Sequence, residues 1–144
     1  MTSRPPNILI VESRFYEDIT DMLVEGTVAA LQEAGATWER LEVPGTFEVP
    51  AVINMALDRY DGFVALGCVI RGETTHYDYV CGESARGLQE LALHKHAAIG
   101  FGILTVENHA QAVARADPKQ RDKGRDAVAA CLRMVELKRR FTNI

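Results

Sequence analysis

The feature that most constrains this chain is an alternation. Short apolar runs rich in β-branched residues take turns with longer segments whose apolar residues recur at helical spacing. Asn7 to Glu12 (NILIVE) follows Pro5-Pro6 and reads as a buried strand. Glu17 to Ala34 puts Ile19, Met22, Leu23, Gly26 and Ala30 on one helical face, and Gly35 supplies a stop. Thr37 to Val43 alternates Trp38, Arg40 and Glu42 against Thr37, Glu39, Leu41 and Val43, the pattern of a half-buried strand at a sheet edge. Phe47 to Asp58 reads as a short helix opening after Pro44-Gly45, and Gly62 to Val69 (GFVALGCV) as a central strand. Thr75 to Lys95 is a long helix with Val80, Ser84, Leu88 and Leu91 along one stripe, and Ala97 to Leu104 (AAIGFGIL) a further buried strand. Glu107 to Ala116 and Arg121 to Arg140 are helical, the latter with Val128, Cys131, Leu132 and Val135 facing inward.

Strands alternating with helices build a parallel sheet through right-handed crossovers. The expectation is a flavodoxin-like three-layer α/β sandwich: a four-stranded parallel sheet in the order 2-1-3-4 with about five helices. At 144 residues there is chain for one core and not for two. Residues 1–144 therefore read as a single domain, with 1–6 a flexible N-terminal segment.

A net charge of −4 lacks the basic footprint of a nucleic-acid binder. No apolar run approaches the ~20 residues that span a bilayer, and Met1 to Pro6 has no apolar signal core. These features point to a cytoplasmic protein with neither nucleic acid nor membrane as partner. Cys68, Cys81 and Cys131 are odd in number and sit in apolar patterns, so they read as buried thiols in a reducing compartment. Their spacing fits no zinc site, and no metal is expected.

In such sheets ligands bind beyond the carboxyl ends of the strands. The segments there are Ser13-Arg14-Phe15, Pro44 to Glu48, Arg71 to His76 and Thr105 to Asn108. In Gly67 to His76 a central strand runs into Gly72, and a helix opens a few residues later. Backbone N–H groups at a helix N-terminus carry partial positive charge and favour an anion such as phosphate. Thr74 or Thr75 can cap that helix or add a hydroxyl, and His76 would sit beside the bound group. An imidazole is a suitable proton shuttle. Taken alone, Thr74 is as well explained as an N-cap and His76 as an exposed first-turn residue. Neither a Walker A nor a dinucleotide fingerprint is present.

Gly45 lets backbone approach a ligand, and Glu48 at a helix start can accept bonds from sugar hydroxyls. The plainer alternative is a Pro-Gly turn, with Phe47 in the core and Glu48 complementing the helix dipole. Phe15 can stack on a heterocycle, although an aromatic there is more often core. Arg115, Lys119, Arg121 and Lys123 offer cations to an anionic substrate, or form a solvated surface. His94 and His96 read as surface residues, and His109 has no evident partner. A phosphoacceptor receiver needs an acidic cluster at the strand ends, and Glu12 stands alone there.

Weak singly, these segments are specific in their order. Ser-Arg-Phe, Pro-Gly-Thr-Phe-Glu-Val-Pro, Gly-Cys-Val-Ile-Arg-Gly-Glu-Thr-Thr-His-Tyr-Asp, Phe-Gly-Ile-Leu-Thr-Val-Glu-Asn and the later Arg115 and Lys123 together resemble the lumazine synthase family over almost the whole chain. The resemblance implies condensation of 5-amino-6-ribitylaminouracil with 3,4-dihydroxy-2-butanone 4-phosphate, without cofactor or metal. It implies Phe15 as the ring-stacking aromatic, Thr46, Phe47 and Glu48 on the ribityl chain, and Val69 and Ile70 against the pyrimidine. Backbone N–H groups of Glu73 and Thr74 hold phosphate, and His76 transfers protons. Phe101 and Arg115 match residues lent by a neighbouring subunit, Arg115 to the phosphate, and Lys123 matches a substrate-proximal lysine. The implied partners are these small molecules and further copies of the chain. Two departures stand out: Tyr16 replaces the family's usual Asn, and Asp117 to Lys123, with Pro118 and Arg121, replaces a Gly-rich loop typical of icosahedral members. The expected assembly is therefore a homopentamer rather than a sixty-subunit shell. Two other readings remain: a related riboflavin-pathway enzyme acting on the lumazine itself, and a non-catalytic flavin- or lumazine-binding module.

Overall fold

The structure is a computed structural model and describes residues 4–142. Four strands, β1 (Asn7–Ser13), β2 (Thr37–Val43), β3 (Gly62–Ile70) and β4 (Ile99–Val106), form one parallel sheet in the order β2-β1-β3-β4. Five α-helices connect and follow them: α1 (Glu17–Glu33), α2 (Val49–Met55), α3 (His76–Lys95), α4 (His109–Ala116) and α5 (Lys123–Thr142). The expected flavodoxin-like sandwich and strand order are what the chain forms.

Alternation within the buried strands decides the layers. Ile8 and Ile10 of β1 face a core with Ile19 and Leu23 of α1, Ala112 of α4, and Val128 and Cys131 of α5. Leu9 and Val11 face the opposite core with Val49 and Ile53 of α2 and Val80, Leu88 and Leu91 of α3. The α3 stripe read from the sequence is the one buried, and Gly35 stops α1 at a left-handed φ of 74°.

Several boundaries differ from expectation for identifiable reasons. The segment after Pro44-Gly45 opens as a 3₁₀ turn, Thr46–Glu48, and α2 proper begins only at Val49, with Pro50 in its tolerated first turn. Asn108 caps α4 by accepting from Gln111 N at 2.9 Å, so α4 starts at His109 rather than Glu107. Residues 97–98 lead into β4 behind left-handed His96, and the strand runs on to Val106 because Arg71 N donates to Val106 O. On β2 only Val43 is buried and Trp38 half-buried. The helices of the second layer pack on β1 and β3 instead, leaving Leu41 exposed.

Residues 1–3 of the segment expected to be flexible lie outside the described residues. Arg4 and Pro6 are tied down: Arg4 makes two 2.8 Å bonds to Asp61, Arg139 Nη1 donates to Arg4 O, and Thr37 N donates to Pro6 O. Cys68 and Cys131 are buried free thiols, whereas Cys81 is half-buried on α3.

Candidate active site

At the carboxyl ends of β1 and β3, on the α2 and α3 side of the sheet, lies a cleft of about 370 Å³. Of the residues singled out above, Phe15, Thr46, Phe47, Glu48, Val69, Ile70 and His76 line it together. Phe15 and Phe47 are not core: they stand 73% and 55% exposed. The turn after β1 is too tight to fold Phe15 back under the sheet. Thr20 Oγ1 of α1 donates to Ser13 O at 2.7 Å. Arg14 is gripped by Glu12 (2.9 Å) and by Asp21. Phe15 is left with an edge-on contact to Tyr16, ring centroids 5.0 Å apart, and one open face. Glu12, lone in the sequence, is a buried carboxylate receiving both Arg14 and Arg40 Nε (2.6 Å). Such a charge is tolerated inside because both oxygens are paired.

The 3₁₀ turn carries Thr46, Phe47 and Glu48 to the cleft wall. Gly45 is extended, and a Cβ there would lie 3.2 Å from Glu48 Oε1, close enough to displace that carboxylate by a few tenths of an ångström. Val69 and Ile70 end β3 at the cleft, and His76, exposed, opens α3 beside it.

Glu73 and Thr74 sit on the exposed loop between β3 and α3 rather than in the cleft wall. His76 N donates to Thr74 Oγ1 at 3.3 Å, and Thr75, the helix cap, makes no side-chain capping bond. The loop therefore presents the positive end of a twenty-residue helix to solvent. Phe101, Arg115 and Lys123 do not line this cleft. Phe101 projects 46% exposed from β4, Arg115 of α4 donates to Gln111 O at 3.0 Å, and Lys123 is exposed at the start of α5. His109 does have a partner, Asp18 Oδ2 at 2.7 Å, which holds the Asp18 carboxyl below its ordinary range.

The sequence reading missed the floor. Ser13 and Gly67 lie side by side just past the last β1–β3 register pair, Glu12 with Leu66, and a Cβ on Gly67 would meet Thr46 Oγ1 at 2.7 Å and Ser13 Cβ at 3.2 Å. Glycine thus lets two hydroxyl side chains close the bottom of the cleft. Ser13 Oγ is buried and has no hydrogen-bond partner among the described residues. The parity that aims Ser13 with Leu9 and Val11 was available in the sequence, but a strand buried on both faces does not announce which parity meets the ligand. Cys68 borders the same cleft, and burial pushes its thiol up to about 12, which disfavours the reactive thiolate.

An exposed aromatic ring, a carboxylate, hydroxyls on the floor and an imidazole at a helix start meet at the strand ends of a doubly covered parallel sheet, and make this a flavodoxin-like α/β protein with an aromatic and polar cleft in the place where that class binds ligands. Within that class, residues 5–139 match the family described as 6,7-dimethyl-8-ribityllumazine synthase. The chain is 54% identical to the 6,7-dimethyl-8-ribityllumazine synthase of Agrobacterium fabrum, with 94% of this chain and 97% of the relative covered. It is 54% identical to 6,7-dimethyl-8-ribityllumazine synthase 1 of Rhizobium meliloti, covering 96% and 95%, and to the Novosphingobium aromaticivorans synthase, covering 93% and 97%. The chain belongs to the 6,7-dimethyl-8-ribityllumazine synthase family.

Proposed function

We propose that this chain is a 6,7-dimethyl-8-ribityllumazine synthase, a transferase of riboflavin biosynthesis condensing 5-amino-6-ribitylaminouracil with 3,4-dihydroxy-2-butanone 4-phosphate. The observation that carries the reading is the meeting of Phe15, Glu48 and His76 in one cleft of a chain with this kinship. Phe15 stacks on the pyrimidine, whose edge meets backbone at Val69 and Ile70. Glu48, with Thr46 and Phe47, takes the ribityl hydroxyls. The phosphoester rests on the N–H groups of Glu73 and Thr74 at the start of α3.

The substrate amine attacks the ketone and water leaves to give an imine. Loss of a proton then expels phosphate by elimination, and ring closure with loss of a second water completes the lumazine. His76 relays protons between these steps, and preorganised N–H groups and cations stabilise the departing phosphate. No cofactor or metal enters this scheme. Alignment of two substrates contributes on the order of 7–11 kcal/mol in favourable intramolecular cases, against about 10²–10⁴-fold for general acid–base help. Positioning is therefore the larger effect.

Phe101 and Arg115, which do not line the chain's own cleft, serve a neighbouring copy, Arg115 on the phosphate. Lys123 completes the substrate surroundings. Residues 1–144 work as one unit in a cytoplasmic homopentamer, with small molecules and further copies of the chain as partners. Among the described residues no helix is long and apolar enough to cross a membrane. The test is to mix purified protein with both substrates and follow lumazine absorbance and fluorescence. Consumption of lumazine alone would instead indicate the related pathway enzyme, and binding without turnover a binding module.

A further inference from the structure

Arg71 stands between β3 and the loop of residues 72–75, and it reaches three elements at once. Its backbone N–H donates to Val106 O at 2.9 Å, carrying the β3–β4 pairing one residue past the end of β3. Its Nε donates to Glu107 Oε2 at 2.9 Å, just beyond β4. Its Nη1 lies 3.6 Å from Asp78 Oδ1 in the first turn of α3, and its guanidinium sits 4.3 Å from the centroid of the Tyr77 ring. One side chain thus joins the entry of the loop to the helix at its exit and to the neighbouring strand.

The loop has little else to fix it. Residues 72–76 are exposed, nothing lies within 4 Å of where a Gly72 Cβ would be, and Thr75 adds no capping bond. The surroundings are also acidic: Glu73, Asp78 and Glu107 lie on the loop or at its margins. Two unpaired carboxylates there would repel an approaching phosphate, and Arg71 pairs with two of the three. An arginine suits this position because its planar fork can stack on Tyr77 while its N–H groups meet carboxylates.

We propose that Arg71 is a positioning residue for the phosphate-bearing substrate. It braces the 72–75 loop and cancels the charges of Glu107 and Asp78, so that the Glu73 and Thr74 N–H groups meet the phosphoester in a fixed geometry. Arg71 does not itself touch the substrate. This rests on the reading of that loop as the phosphate site.

The test compares wild type, R71A, R71K and the exposed helix control R86A. It measures KM for each substrate, kcat, and calorimetric affinity for inorganic phosphate, with thermal melts to establish folding. In R71A, KM for the butanone phosphate and the dissociation constant for phosphate should rise roughly ten- to hundredfold, as misplaced contact groups do. KM for the ribitylaminouracil should move less than about twofold. The loss should shrink at high salt, because part of it is screened charge, and adding D78N and E107Q to R71A should restore part of the affinity. R71K should fall between wild type and R71A, and R86A should match wild type. Unchanged phosphate affinity in folded R71A would overturn the proposal, and so would equal rises in both KM values. If wild type makes no lumazine, the functional reading fails, and phosphate calorimetry of R71A against wild type then decides the role of Arg71 separately. A wild type that binds no phosphate overturns that role too.

Discussion

Ser13 shows most clearly how a single atom separates stability from function. A buried hydroxyl left unpaired costs about 1–3 kcal/mol, and Ser13 Oγ is such a group at the floor of the cleft. Ser13→Ala should therefore leave the melting temperature of the ligand-free protein unchanged or raised; a clear fall would mean that the hydroxyl has a structural partner. His76 and Arg115 test the ranking of positioning over proton transfer. His76→Ala should retain substantial turnover, whereas Arg115→Ala should raise the concentration of butanone phosphate required. Steady-state kinetics on both variants check this, and a folded His76→Ala protein without turnover would reverse the ranking. At this scale the sequence marked the chemistry-bearing residue types. It misassigned Phe15 and Phe47 when each was taken alone, because an aromatic beside an apolar run carries no sign of which way a tight turn will throw it.

Between elements, close approach is set by glycine. Gly100 of β4 lies under α5, where a Cβ would come within 2.0 Å of Ala127 O and 2.7 Å of Ala127 C. Backbone cannot give way as a side-chain end can, so Gly100→Ala should destabilise by about 1–3 kcal/mol or more, read as a lower urea midpoint. The amino end of the sheet, away from the cleft, is held by Asp61, which accepts from both Arg4 Nη atoms and from Asn7 N at 2.8 Å. Burial alone would push the Asp61 carboxyl up, but the Arg4 bonds, the Asn7 N–H and Arg139 together hold it below its ordinary range. A carboxyl lowered in the folded state contributes stability above its unfolded value, near ~3.9, and loses it as pH falls through the folded value. Asp61→Asn should therefore cost on the order of 1–2 kcal/mol at neutral pH and flatten the loss of stability below about pH 4. Urea titrations at several pH values would show both; an unchanged acid limb would reject the assignment. The sequence marked neither contact, since Gly100 is 27 residues from Ala127 and Arg4 is 57 from Asp61.

At the scale of the whole molecule, assembly turns on surface. Phe101 stands 46% exposed on β4, and Arg115 and Lys123 stay out of the chain's own cleft. Both facts are natural if copies complete one another's sites. The loop of residues 117–122 is closed on itself. Asp117 O accepts from Gln120 N and Asp122 N, Asp117 Oδ1 accepts from Lys119 N, and Asp122 is held at a φ of 47°. A loop so braced is poorly suited to the reshaping that shell contacts would ask of it. Light scattering should give the mass of a pentamer, and a mass near sixty subunits would overturn this. Phe101→Asp should dissociate the assembly and abolish turnover together, visible as a smaller particle on the same column.

The sequence by itself determined the fold class, the strand order and the family. These follow from the period of apolar residues and from short segments read in order, both of which are local properties of the chain. Tertiary structure alone decided which parity of β1 meets the cleft, that Gly67 opens its floor, that Glu12 is buried between two arginines, and that Arg71 ties the loop to α3 and to the end of β4. Those depend on register and on the approach of segments distant in the chain, which residue spacing does not encode.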